Sequence, residues 1–154
     1  HPVLDLALVK VRPISQLEPV RLERHPVADI SKTNVAVIGY PMACRSEDKK
    51  QCDEFFAGQP PFGLKRIAPG RLIPATTGNS PAGANVVRHD CTTLHGSSGS
   101  PIVNLDTGNV IALHFAEDPE SAYLQRIGNF AVKLNAVASD PKLRSDDWHL
   151  NWTE

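Results

Sequence analysis

The sequence has 154 residues, with 16 Lys plus Arg against 17 Asp plus Glu and a formal net charge of −1. That length supports about one ordinary domain with a buried core, and balanced charge with no run of one sign argues against nucleic acid or an anionic membrane as partner. No apolar run approaches the ~20 residues of a membrane span, and His1-Pro2-Val3-Leu4-Asp5 lacks the basic start and apolar core of a targeting segment.

Short β-rich runs follow one another along the chain: Val3 to Val11, Val35 to Gly39, Arg71 to Ala75, Asn85 to His89, Pro101 to Asn104, Val110 to Phe115 and Phe130 to Leu134. The first run places the start of the chain in mid-strand, as in a processed chain or an excised domain. Pro13, Pro19 and Pro26 interrupt the stretch between Arg12 and Thr33, which lacks any sustained period and reads as an extended connection. Pro41 to Pro61 is polar and bounded by Gly and Pro, so it forms a long excursion. Thr77 to Gly83 is a surface turn, and Asp106-Thr107-Gly108-Asn109 between two apolar runs is a hairpin loop. Asp140-Pro141 reads as an N-cap and first position of a short terminal helix, with Leu143, Trp148 and Trp152 offering an apolar face. The whole pattern is all-β, a barrel or sandwich rather than a parallel α/β sheet.

Cys44 and Cys52 flank the polar excursion and could close a small disulfide, which leaves Cys91 free or paired outside this chain. The cysteines form no second C-x-x-C and have no His pair beside them, so neither a metal nor a cofactor is expected.

The most informative chemistry lies in Thr92 to Asn104, where the small-residue turn Gly96-Ser97-Ser98-Gly99-Ser100 runs into Pro101-Ile102-Val103. A nucleophilic serine must present its hydroxyl while neighbouring backbone N–H groups converge on one point, and flanking glycines permit that path. Gly96 and Gly99 supply this for Ser98. Ser97 lacks a glycine two residues before it, and Ser100 directly precedes Pro101. An α/β-hydrolase elbow would need glycine where Ser100 stands and a helix where the Ile102-Val103 strand continues.

Gly96 to Ile102, the Asp-Thr-Gly-Asn hairpin and Val110-Ile-Ala-Leu-His-Phe115 together resemble the active-site region of chymotrypsin-fold serine peptidases, in the bacterial branch that includes glutamyl endopeptidases. The resemblance implies a six-stranded antiparallel Greek-key barrel, the C-terminal barrel of that fold, with a short terminal helix. Residues 34–154 would form that barrel and helix, 13–33 the inter-barrel linker, and 1–12 the last strand of the N-terminal barrel. It further implies Ser98 as nucleophile and the N–H groups of Gly96 and Ser98 as oxyanion hole. Asp5, heading Leu6-Ala-Leu-Val-Lys-Val11, is similar to the start of the strand that carries the family's triad aspartate. Thr93 and His114 match the positions that line a primary pocket for an acidic side chain, where a hydroxyl and an imidazolium can hydrogen-bond a carboxylate. Two departures stand against that pocket: Glu117 and Asp118 follow His114, and Ala116 stands where the family often has glycine.

A serine hydroxyl needs a base to take its proton. Of the six histidines, His1, His25 and His149 lie in the wrong segments, and His89 and His95 sit too near Ser98 in sequence to meet it in the required orientation. The expectation is therefore a catalytic histidine upstream, in a missing N-terminal barrel, and a protein or peptide substrate acted on outside the cytoplasm, secreted or periplasmic. The alternative is a trypsin-like barrel kept as a non-catalytic binding or scaffolding module.

Overall fold

The computed structural model describes residues 1, 4, 6–12, 15–42, 49–55, 63–74, 85–117, 128–143 and 150–154. Six strands, β1 (Asn34–Gly39), β2 (Arg66–Ile73), β3 (Val86–His89), β4 (Pro101–Asn104), β5 (Val110–Glu117) and β6 (Asn129–Lys133), are joined by two short helices, α1 (Lys49–Phe55) and α2 (Leu134–Ser139). Every strand pair is antiparallel, and the ladder closes in the order β1-β2-β3-β6-β5-β4. Closure leaves each strand with two neighbours, so the barrel has no free edge to protect.

Strand β2 begins at Arg66, well before the run that the sequence marks from Arg71, because Pro69 and Gly70 read locally as a turn. Along β2, Ala68, Gly70 and Leu72 are the more covered residues while Ile67, Pro69 and Arg71 face out. The interior is filled by Val35, Val37, Leu72, Val87, Cys91, Ile102, Ile111, Ala112 and Ala131. Cys91 is a free, buried thiol. Burial pushes its pKa up to about 11, so it behaves as a small apolar filler. Of the disulfide expected between Cys44 and Cys52, the first residue and the second side chain lie outside the described residues.

The loop of Asp106 to Asn109 forms as expected, with Gly108 at φ +74° and its N–H donating to the Asn104 carbonyl at 2.8 Å. One expectation fails. Asp140 does not start a helix: it is the C-cap of α2, its N–H donating to Val137 O at 3.2 Å, and its carboxylate accepts from the Lys142 N–H at 2.8 Å. The Asx turn that makes Asp a good N-cap serves equally well to turn the chain away from a helix just completed. Among its described residues the run Val3 to Val11 is not a strand. Its apolar period reports burial instead, since Leu4 and Leu6 pack with Val110, Val132, Leu134 and Val137 between the barrel wall and α2. Helix α1, inside the polar excursion, had no apolar period to announce it; Lys49 and Asp53 bridge one turn of it at 2.7 Å.

The connection before β1 is extended and tied down. Leu22 bridges Val110 on one side and Trp152 on the other, both parallel. The Glu23 carboxylate collects the His25 N–H at 3.2 Å, the Thr153 hydroxyl at 2.9 Å and the Asn109 amide at 3.0 Å. Partial burial works to raise the Glu23 pKa, but these donors together hold it below its ordinary value.

The interior sets a stability expectation. Ile102 is fully buried at the centre of the barrel, so Ile102→Ala is expected to cost about 2–5 kcal/mol in urea unfolding. Val9→Ser, at a residue 76% exposed, is expected to stay within about 0.5 kcal/mol of the parent. Equal effects of the two substitutions would contradict this assignment of the core.

Candidate active site

The turn from Leu94 to Ser100 precedes β4 and leans on β5. Its shape follows from two glycines that occupy the left-handed region, Gly96 at φ +91° and Gly99 at φ +84°. At Gly96 a Cβ would also collide with Met42, whose N–H donates to the His95 carbonyl at 2.9 Å. Two hydrogen bonds fasten the turn to the barrel: the Gly99 N–H donates to His114 O at 2.7 Å, and the His114 N–H donates to Ser100 O at 3.0 Å.

The three serines of the turn have different surroundings. Ser97 is buried and internal, its N–H donating to Leu94 O at 2.9 Å and its Oγ accepting from the Leu94 N–H at 3.2 Å. Ser100 is buried against β1, with its hydroxyl where a side chain on Gly39 would stand. Ser98 alone is exposed, and its hydroxyl donates to the Phe115 carbonyl at 3.1 Å. A bulge in the β5–β6 ladder between His114 and Ala116 makes Phe115 the extra residue, and its carbonyl is the one the serine reaches. The N–H groups of Gly96 and Ser98 have no acceptor among the described residues. A cavity of about 330 Å³ adjoins the turn, lined by residues that include Gly39, Arg66, Thr92, Leu94 and Ser97.

His114 points into the barrel and is 3% exposed. Its Nδ1 lies 3.2 Å from Nε2 of His89, with the two rings edge to face. Registry explains the encounter. His89 lies on β3 and His114 on β5, with β6 between, and the inward residue of β6 flanked by Val87 and His114 is Ala131. Two rings on strands two ladder spacings apart can meet only over a side chain that small.

Burial drives the His89 pKa down to about 3, with the neighbouring His114 adding to the effect. Burial likewise drives His114 down to about 4, against a smaller upward pull from a hydrogen bond to the Phe130 backbone. In place of the expected imidazolium, the unliganded His114 is thus a neutral ring near pH 7. Thr93 is half-buried, and its Oγ1 has no hydrogen-bond partner among the described residues. Glu117 is exposed at the end of β5.

Asp5 and Asp118 lie outside the described residues. The other histidines are engaged away from the turn or bonded to nothing in it: His1 with Asp140 at 3.0 Å, and His25 with the Glu154 carbonyl at 3.1 Å. His95 is exposed, and His149 is outside the described residues. The contact between His89 and His114 is not legible in the sequence. His89 lies near Ser98 along the chain, whereas its partner comes from β5 through the order of the strands.

A family model described as the trypsin-like peptidase domain matches residues 1–113, and the chain belongs to that family. A probable serine protease of Lysobacter enzymogenes is 30% identical over 149 residues, covering 88% of this chain but 38% of the relative. The chain therefore spans well under half the length of that relative. Among solved structures, the tobacco vein mottling virus protease aligns over 86% of this chain and 49% of its own, with 18% identity and a TM-score of 0.46. An inactive serine-to-alanine mutant of Rv3671c from M. tuberculosis H37Rv aligns over 80% and 51%, with 20% identity and a TM-score of 0.47.

The buried pair has a consequence for stability. Both folded-state pKa values lie below 6.5, so as pH falls through 6.5 the unfolded chain binds protons that the folded protein refuses. The pair's contribution is intact above 6.5 and is lost progressively toward pH 4, at up to roughly 1.4 kcal/mol per group and pH unit. Urea unfolding between about pH 7.5 and about pH 4.5 is expected to weaken with acid, and less so for the double variant His89→Gln/His114→Gln. Equal pH slopes in the two proteins would contradict the neutral pair.

Proposed function

We propose that the full-length protein is a serine endopeptidase in which Ser98 forms the acyl-enzyme. The observation that carries the reading is the sorting of the turn: of its three hydroxyls only Ser98 is exposed, and the N–H groups beside it, of Gly96 and Ser98, have no acceptor among the described residues. N–H groups left without an acceptor among the described residues suit the oxygen that becomes an anion when a carbonyl is attacked. Membership of the trypsin-like peptidase domain family points the same way.

In the proposed cycle the Ser98 hydroxyl leaves its resting bond to the Phe115 carbonyl and attacks the scissile carbonyl carbon as its proton passes to a histidine. The tetrahedral oxyanion is held by the N–H groups of Gly96 and Ser98. Its collapse expels the amine, which takes the proton from the imidazolium. Water then repeats the sequence on the acyl ester and restores Ser98. The histidine is assigned to a first barrel upstream, with Asp5 fixing its tautomer and stabilising its charged form. Thr93 and His114 are assigned to the primary pocket, giving a preference for an acidic residue on the acyl side, as in the glutamyl endopeptidase branch.

The alternative is a non-catalytic module, the same barrel kept for binding or scaffolding. The two readings part on one experiment. Full-length protein treated with a fluorophosphonate is expected to be labelled at Ser98, and Ser98→Ala to lose labelling and about 10³-fold or more of peptide turnover. Cleavage in a peptide library is expected after Glu and Asp. Absence of both labelling and turnover would favour the module, and equal cleavage after apolar residues would remove the acid pocket while leaving the peptidase.

A further inference from the structure

We propose that His1 and Asp140 are positioning residues for Asp5: the His1 ring ties the residues on either side of Asp5 to the C-cap of α2, and so to the barrel that carries Ser98. The proposal rests on the reading of Asp5 and Ser98 as members of one catalytic group, and it names the part of the molecule that sets their separation.

The His1 ring is almost entirely covered, its side chain 5% exposed, although the residue belongs to no strand or helix. Its two nitrogens face different partners. Nδ1 accepts from the Leu4 N–H at 3.0 Å, and Nε2 lies at ion-pair distance, 3.0 Å, from Asp140 Oδ2. A backbone N–H can only donate, so Nδ1 carries no hydrogen, and in the neutral ring the hydrogen sits on Nε2, toward the carboxylate. Asp140 is itself fixed. Its Oδ1 accepts from the Lys142 N–H at 2.8 Å, and its backbone N–H donates to Val137 O at the end of α2.

Beyond the ring the segment is fastened by packing. Leu4 is 3% exposed among Val110, Val132, Leu134 and Val137, Leu6 packs against the same cluster, and the Leu6 N–H donates to Leu4 O at 2.5 Å. Asp5 stands between these two residues in the sequence. Leu134 and Val137 belong to α2, which follows β6 directly, and Val110 begins β5, the strand whose His114 clamps the serine turn. A continuous set of contacts therefore runs from His1 to the Ser98 turn within one barrel. A histidine supplied from upstream would meet a serine and an aspartate held by the same body, with only its own placement crossing the barrel interface. Apolar burial of Leu4 and Leu6 sets their depth but is non-directional. The His1 contacts add direction, because hydrogen bonds and close ion pairs depend on angle as well as distance.

The test measures turnover of one peptide by the full-length protein as wild type, His1→Ala, Asp5→Ala and the double variant. His1→Ala is expected to lower kcat about tenfold with KM kept within about twofold, since a displacement of under about 1 Å at a catalytic group is enough for that loss. In the Asp5→Ala background the same change is expected to cost less than about twofold, because the group it positions is gone. His1→Gln, whose carboxamide can accept from the Leu4 N–H and donate to Asp140, is expected to keep kcat within about threefold of wild type. Equal losses in the two backgrounds, no loss in His1→Ala, or a loss in His1→Gln as large as in His1→Ala overturns the proposal alone. Wild-type kcat in Asp5→Ala overturns the role of Asp5 and the proposal with it, while absence of both turnover and fluorophosphonate labelling in wild type overturns the peptidase reading as well. If His1→Ala does not fold, Asp140→Asn carries the same comparison with the same outcomes, since it sets an amide donor against the Nε2–H and keeps an oxygen for the Lys142 N–H.

Discussion

The hydrogen-bonded clamp between the serine turn and β5 is the constraint on which the rest of the site depends. Gly99 N–H to His114 O and His114 N–H to Ser100 O extend the sheet ladder past the end of β4 and into a segment that is otherwise a loop. Loops are ordinarily the mobile part of a barrel protein. Here the turn inherits the rigidity of β5, which is paired on both sides in a closed sheet. The two positive-φ glycines let the backbone double back within reach of that strand, and the same path leaves the Gly96 and Ser98 N–H groups unclaimed among the described residues. Exposure of Ser98 and burial of Ser97 and Ser100 are then consequences of one backbone shape.

The interior of the barrel bears a cost for this arrangement. A pair of neutral imidazoles occupies space that aliphatic side chains fill elsewhere, and burial depresses both pKa values far below the ordinary histidine range. The site and the stability of the fold are thereby linked, because the residue whose backbone clamps the turn is also the residue whose ring resists protonation. Polar groups kept in a core at such a cost belong to specificity or chemistry more often than to stability.

Features set by local sequence were legible before the structure. β-rich runs marked five of the barrel strands closely and β2 only from Arg71 onward, where Pro69 and Gly70 hid its first half, and the glycines around Ser98 marked the turn because their conformational freedom is an intrinsic property. What depended on long-range pairing was not. Leu4 and Leu6 carry a strand-like period, and the closed barrel gives them a surface to pack on. Asp140 has the chemistry of a cap, and nothing local says which side of it the helix lies; the Leu134–Ser139 helix has no side-chain N-cap to betray its start. His89 and His114 are 25 residues apart and meet only because β6 lies between β3 and β5 and presents Ala131 there.

The most direct test of the central claim is a crystal structure of the full-length protein carrying a phosphonyl group from a fluorophosphonate. The account predicts the phosphorus bonded to Ser98 Oγ and one phosphonyl oxygen within about 3 Å of both the Gly96 and Ser98 nitrogens, with the Gly99 and His114 clamp unchanged. A phosphonyl group on another residue, or on Ser98 with its oxygen turned to solvent and the clamp broken, would contradict it.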